Sequence, residues 1–128
     1  MTTAVPDLLQ TVAEPTRLWI INCLAAAPLF VSDLQVVLDL PQPTVSRHLQ
    51  VLRKSGLVRD TPIAQFVLYR LRRAAGPPGK LLGAILDAMN GDPQFRSERE
   101  RALVRSRTHT GERTGEPEPD AAGRSRRS

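Results

Sequence analysis

Cys23, His48 and His109 are the only thiol and imidazole groups in this chain of 128 residues. A nucleophile with its base, or a transition-metal centre, needs several such groups brought together. Here one falls in an aliphatic run, one on a basic helix and one in a polar tail, so no enzyme activity, catalytic residue or cofactor is expected. The chemistry the chain does offer is that of guanidinium, ammonium, hydroxyl and amide groups. The stretch Pro41 to Val58, PQPTVSRHLQVLRKSGLV, carries Gln42, Thr44, Ser46, Arg47, His48, Gln50, Arg53 and Lys54 without one acidic residue. Side chains of these types bind phosphate oxygens and base edges.

The spacing places them on one side of a helix. With Pro43 as the first helical residue, a rotation of 100° per residue puts Val45, Leu49 and Leu52 on one stripe, which must be buried. Pro43, Arg47, Gln50 and Lys54 share the opposite face, with Ser46 and Arg53 flanking it and Gln42 and Thr44 at the N-terminal end. His48 sits at the boundary between the basic face and the buried stripe. Gly56 supplies the positive φ that commonly ends a helix, which leaves about three turns, the length that fits a major groove.

Charge is distributed to match. Residues 1–40 carry Arg17 against Asp7, Glu14, Asp33 and Asp39, whereas residues 41–73 carry seven basic residues against Asp60 alone. A solvated basic face is the plain reading of such a block, and a nucleic-acid-binding surface is the sharper one. At 41% hydrophobic content and net charge +5, the chain supports one domain with a modest core, helped by a partner subunit. The lone Cys23 allows no intrachain disulfide. The N-terminus lacks a basic signal region, and the apolar run Leu18 to Val31 is broken by Asn22 and Pro28, so no membrane span and a cytoplasmic location are expected.

The elements that position the basic helix follow in order. Pro6 to Ala13 reads as a short first helix, and Pro15 opens a second that runs to about Ala27, with Leu18, Ile21 and Leu24 as the main stripe. Cys23, among aliphatic neighbours, is read as a core residue rather than a sensor, and Trp19 as an edge or subunit-interface residue. Ser32 to Gln35 matches a capping box, with Ser32 as N-cap of a third helix to Leu38. Asp39 to Gln42 is then the turn of a helix-turn-helix, with Gln42 just outside the basic helix. Leu57 to Arg59 and Phe66 to Leu71 read as a hairpin with Thr61, Pro62 and Ala64 between the strands, the wing that follows a recognition helix. Ala74 to Gly79 is a connector, and Lys80 to Asn90 a fifth helix with a wide apolar face. The expected fold is mainly α with a small β-hairpin, a winged helix-turn-helix in the order α-α-α-α-β-β-α. The expected domain spans residues 1–92. Residues 93–128 are expected to be a charged, disordered tail, within which Ser97 to Arg107 can extend as a helix.

VAEPTRLWIINCLA, VSDLQVVLDLPQPTVSRHLQVLRKSGLVRD and VLYRL together resemble the ArsR/SmtB (arsenic-repressor) family of winged-helix transcriptional regulators over about residues 10–90. The resemblance implies a homodimer that binds an inverted repeat in double-stranded DNA and represses until an inducer lowers its affinity. The departures matter as much. Where many members carry Glu-Leu-Cys-Val-Cys-Asp-Leu, this chain has Pro28 to Leu34 with Phe30 and Ser32 in place of both thiolates. The family's other site uses Asp-x-His with a later His-x-x-Glu, but here Asp87 is followed by Met89, and no histidine lies between Lys80 and Thr108. No metal ligands are therefore expected at either place. Cys23 with His109 would leave a metal half-coordinated. The inducer is unknown; control by a small organic ligand, a partner protein or protein abundance stays open, and thiol oxidation is disfavoured because Cys23 has no resolving cysteine in its own chain. The wing tip, Thr61 to Gln65, lacks the usual basic residues and glycine.

Two functional classes follow: a DNA-binding repressor and a winged-helix protein-interaction module. For the first, Gln42, Thr44, Ser46, Arg47, His48 and Gln50 are expected to approach DNA, with Arg47 and Gln50 reaching base edges and Arg53, Lys54 and Arg59 meeting phosphates. The apolar faces of the first and fifth helices, Leu8, Leu9, Leu82, Ile85, Leu86 and Met89, are wider than a small monomer covers and are expected to form the dimer interface.

Overall fold

The most apolar stretch of the chain forms the helix on which the rest is assembled. The structure, a computed structural model, describes residues 4–115, with side chains through residue 108. Helix α1 is Ala4–Val12 and α2 is Pro15–Ala26. Pro15 occupies the first turn of α2, and the Glu14 carboxylate accepts the Arg17 N–H at 2.9 Å, so the helix start is capped from its own sequence. Extended backbone at Ala27, ahead of Pro28, ends it. Five successive residues from Ile20 to Leu24 are buried, so α2 is covered on several sides rather than along one stripe.

Strand β1 (Leu29–Phe30) follows, then α3 (Val31–Leu38), α4 (Gln42–Lys54), β2 (Val58–Ile63), β3 (Phe66–Leu71), α5 (Gly76–Asn90) and α6 (Pro93–Gly115). The sheet order is β1-β3-β2, both pairs antiparallel, with Leu29 opposite Tyr69 and Asp60 opposite Tyr69 on its other side. The winged helix-turn-helix expected from the sequence is thus present, with β1 as an addition: two residues are too few for a periodic signal.

Several local expectations are corrected. Helix α3 starts at Val31, with Phe30 as N-cap and not Ser32. The Asp33 carboxylate, held in the interior, accepts the Phe30 N–H at 2.8 Å and so fixes the start two residues earlier than Ser32 could. Helix α4 includes Gln42, because the Pro41 carbonyl already accepts from Val45. Strand β2 runs on through Thr61 and Pro62, leaving only Ala64 and Gln65 as the turn; β2 is an edge strand, where a residue without an N–H is tolerated. Helix α5 begins inside the expected connector, with prolines in its first turn. Its Gly79 cannot be replaced, since a Cβ there would lie 1.9 Å from the Ala74 carbonyl oxygen.

The largest correction concerns the C-terminal third. A domain boundary at residue 92 does not stand, because α6 packs more extensively on α2 than any other helix does, and also touches α3 and α5. Ala102 is fully buried, and the Phe95 ring lies 4.1 Å from that of the half-buried Trp19, centroid to centroid, so Trp19 packs on its own chain. Arginines replace apolar side chains in much of this contact. Arg99 donates to the Asn22 side chain at 2.8 Å and to the Leu86 carbonyl at 2.8 Å, Arg101 donates to the Val37 carbonyl at 2.8 Å, and Arg105 pairs with Asp33 at 2.8 Å. Residues 116–128 of the expected tail lie outside the described residues.

The expected dimer face is corrected in part. Leu8, Leu82, Leu86 and Met89 are buried within one chain, where α1 packs on α5. Leu9 is 48% exposed and Ile85 is half-buried, so of the six only these two keep surface for a partner. Among the described residues, no helix is long and apolar enough to cross a membrane.

Candidate nucleic-acid interface

Helix α4 is held by Val45, Leu49 and Leu52, all fully buried, as the sequence stripe requires. The helix ends where Ser55 and Gly56 turn back on it, with φ +83° at Gly56. This anchoring leaves Gln42, Arg47, Gln50, Arg53 and Lys54 exposed, with Thr44 and Ser46 half-buried beside them. Two local bonds order the surface: Gln42 Nε2 donates to Ser46 Oγ at 2.7 Å, and Arg53 donates through Nε and Nη2 to Gln50 Oε1 at 3.2 and 2.9 Å. Arg53 and Gln50 are therefore one hydrogen-bonded unit. Its remaining guanidinium donors and the Gln50 amide N–H groups point to one acceptor-rich partner.

His48 does not belong to this surface. It is 8% exposed, with Nδ1 lying 3.4 Å from Arg17 Nη1 and 3.9 Å from Glu14 Oε1. Arg17 can only donate, so Nδ1 faces it as an acceptor and the ring is neutral in this arrangement. Burial holds the imidazole pKa below its ordinary value; Glu14 opposes that, and Arg17 and Arg47 add to it. The expectation that His48 approaches DNA is thus corrected: the N-terminal end of α2 packs over the boundary position, and His48 fastens α4 to α2. Arg17, also bonded to the Thr11 carbonyl at 2.7 Å, joins α1, α2 and α4 at one point. Nothing in the sequence spacing marked it for that role.

The wing contributes a second basic set. Arg59 is exposed on β2, and directly opposite on β3 stands Arg70, also exposed. Like charges facing across strands are unfavourable unless something anionic lies over them. Arg70 was absent from the sequence-derived set, although alternation along VLYRL places it on the face opposite the buried Tyr69 and so could have found it. Arg72 bends back to the Gly56 carbonyl at 3.4 Å, beside the end of α4. Arg101 pairs with Glu98 and Arg105 with Asp33, while the neutral His48 lies 3.9 Å from Glu14. None of these contacts involves Arg47, Arg53, Lys54, Arg59, Arg70 or Arg72.

Metal-binding chemistry has little material here. Among the described residues, no group of three or more His, Cys, Asp or Glu side chains could hold an ion. Phe30 stands edge-on to Phe66 at 5.7 Å, tying β1 to the wing. Asp87 is exposed and Met89 buried, so these two do not share a face. Cys23 is fully buried, and its thiol pKa is pushed up to about 12, first by burial and then by Glu98, against the opposing effect of Arg101. The side chain of His109 lies outside the described residues.

A helix-turn-helix with an exposed, unpaired basic second helix, followed by a hairpin, defines a winged-helix regulator of the DNA-binding type. Residues 14–60 match the family described as "Bacterial regulatory protein, arsR family". The chain is 42% identical over 69 residues to the biofilm growth-associated repressor of Agrobacterium fabrum, spanning 54% of this chain and 59% of that one. It is 45% identical over 66 residues to the arsenical resistance operon repressor of Escherichia coli, spanning 51% and 56%. The crystal structure of the transcriptional repressor BigR from Xylella fastidiosa superposes with a TM-score of 0.61 at 30% identity, covering 70% of this chain and 86% of that one. The chain belongs to the arsR family of bacterial regulatory proteins. Its match nevertheless spans less than two thirds of the curated relatives' own length.

Proposed function

We propose that the protein is a sequence-specific, double-stranded-DNA-binding transcriptional repressor, acting in the cytoplasm as a homodimer on an inverted repeat. One observation carries this reading: the outer face of α4 and the adjoining wing present six basic side chains without an ion pair among the described residues. The outer face of α4 carries no carboxylate, and Asp60 on β2 is the acidic residue of the wing. Arg47 and the Arg53–Gln50 unit are placed to read base edges, with Gln42, Thr44 and Ser46 at the entering end of the helix. Lys54, Arg59 and Arg70 would meet phosphates. Relatives named as repressors support the same reading.

A gel-shift or fluorescence titration on DNA upstream of the coding region, with salt varied, tests it. Binding should weaken with salt at a slope set by the number of phosphates neutralised. Binding that is absent, or insensitive to salt, would favour a protein-interaction module instead. Control by a metal at the family's two familiar sites is not part of the proposal. Arsenite, zinc, cadmium and nickel should each leave operator affinity unchanged, in the wild type and in Cys23→Ser alike.

A further inference from the structure

Exposed valines from two elements meet in one groove. Val36 on α3 is 57% exposed and Val104 on α6 is 60% exposed, and both line a groove of about 390 Å³ floored also by Val37. The other large exposed apolar residues, Leu9, Val51 and Ile63, stand on three different elements. The groove follows α6 from Ser97 to Thr108, about 16 Å at the helical rise, long enough for a medium-length hydrocarbon chain. Its volume falls in the range of small-molecule sites, which combine an apolar surface with a few placed polar groups.

Those polar groups favour an anion. Glu100 is the acidic side chain of the lining, against Arg101 and Arg105. Arg101 is held by Glu98 and the Val37 carbonyl, while Arg105 uses its Nε on Asp33 Oδ1 at 2.8 Å. Its Nη groups have no acceptor among the described residues, although the side chain is about a third exposed. A planar fork with open donors beside an apolar floor fits a carboxylate carried on a hydrocarbon body.

We propose that the α3–α6 groove binds an amphipathic organic carboxylate, its hydrocarbon part on Val36, Val37 and Val104 and its carboxylate on Arg105 and Arg101, and that it is the effector site of this regulator. Seated on the Nη donors, the carboxylate shares the Arg105 guanidinium with Asp33 and draws it away from the Nε bond to Asp33. Asp33 also fixes the start of α3 through the Phe30 N–H, and α3 packs on α4, so occupancy of the groove shifts the helix-turn-helix and weakens DNA binding. The coupling rests on the DNA-binding reading; the binding itself does not.

The test uses the full chain with decanoate, and decanol as its uncharged counterpart, both in calorimetry and in amide NMR. Decanoate should saturate one site and shift the amides of Val36 and Val104, with decanol at least tenfold weaker. Val104→Glu should weaken decanoate at least tenfold with an unchanged melting temperature, since Val104 is exposed. No saturable binding, equal binding of decanol, or full affinity in Val104→Glu overturns the site. Saturating decanoate should also lower operator affinity about tenfold in the wild type and not in Val104→Glu; unchanged affinity in the wild type overturns the coupling. Ligand-free protein that binds no DNA overturns the DNA reading and the coupling with it, while the groove stands or falls on the titration alone.

Discussion

Arg47 and His48 are neighbours in the chain and point to opposite sides of α4, one to solvent and one to α2. Arg47→Ala should cost about 1–3 kcal/mol of operator affinity and relax selectivity at one base position, measured by titration on operator and single-base variants. His48 should act on stability through pH. Its folded pKa is depressed, so the unfolded chain binds more protons between the two values. Its contribution is therefore complete above the unfolded value, and stability is lost as pH falls through about 6.5. Denaturation midpoints near pH 7.5 and 5.5 should differ less in His48→Gln than in the wild type; an unchanged difference would show that the imidazole is not the group involved. Which side His48 takes was not legible from rotation angle alone, because it lies at the edge of the stripe and the deciding partners, Glu14 and Arg17, come from a different helix. Val45, Leu49 and Leu52 were legible because they sit at the stripe's centre.

Among the elements, α6 departs furthest from what its sequence suggests. Its apolar content is small and its charge high, which reads as solvated; yet its arginines reach backbone carbonyls and buried polar groups that only the folded chain assembles. The burial of Asn22 and Asp33 was equally hidden, since both stand in runs that look like ordinary helix. Arg105→Ala removes one guanidinium partner from the buried Asp33 carboxylate. Because Arg105 is partly exposed, solvent screening reduces the loss from that of a fully buried pair to about 1–3 kcal/mol, measurable as a shift in urea midpoint. A chain ending at Asp92 removes the α6 groups packed on the Trp19, Asn22 and Cys23 side of α2. It should lose cooperative unfolding, and its Cys23 should react with a thiol reagent far faster than in the full chain; a truncated chain that melts like the full one would restore the boundary at residue 92. By contrast, the second strand of the wing was readable because alternation over six residues is a strong local signal, whereas the length of β2 past Arg59 and the register needed the structure.

At the scale of the molecule, the surface for a second copy is narrower than the apolar faces of α1 and α5 suggest. Those faces first cover each other. Leu82→Glu, at 2% exposure, should therefore unfold the protomer by at least about 3 kcal/mol rather than merely separate subunits. Leu9→Glu or Ile85→Glu should give a folded monomer, and sedimentation with circular dichroism distinguishes the two outcomes. Two recognition helices on one side of the duplex would set half-site centres about one helical turn, roughly 34 Å, apart. The bonds of Asn22 add a condition on the order of events. Its side-chain amide donates to the Phe95 carbonyl at 2.9 Å and accepts from Arg99, partners 73 and 77 residues further along the chain. A nascent chain that has reached the end of the wing thus contains the whole helix-turn-helix and still lacks the groups that satisfy the polar side chain at the middle of its central helix. Completion of the helix-turn-helix half waits on the synthesis of α6, and nascent chains that stop before Phe95 should remain protease-sensitive.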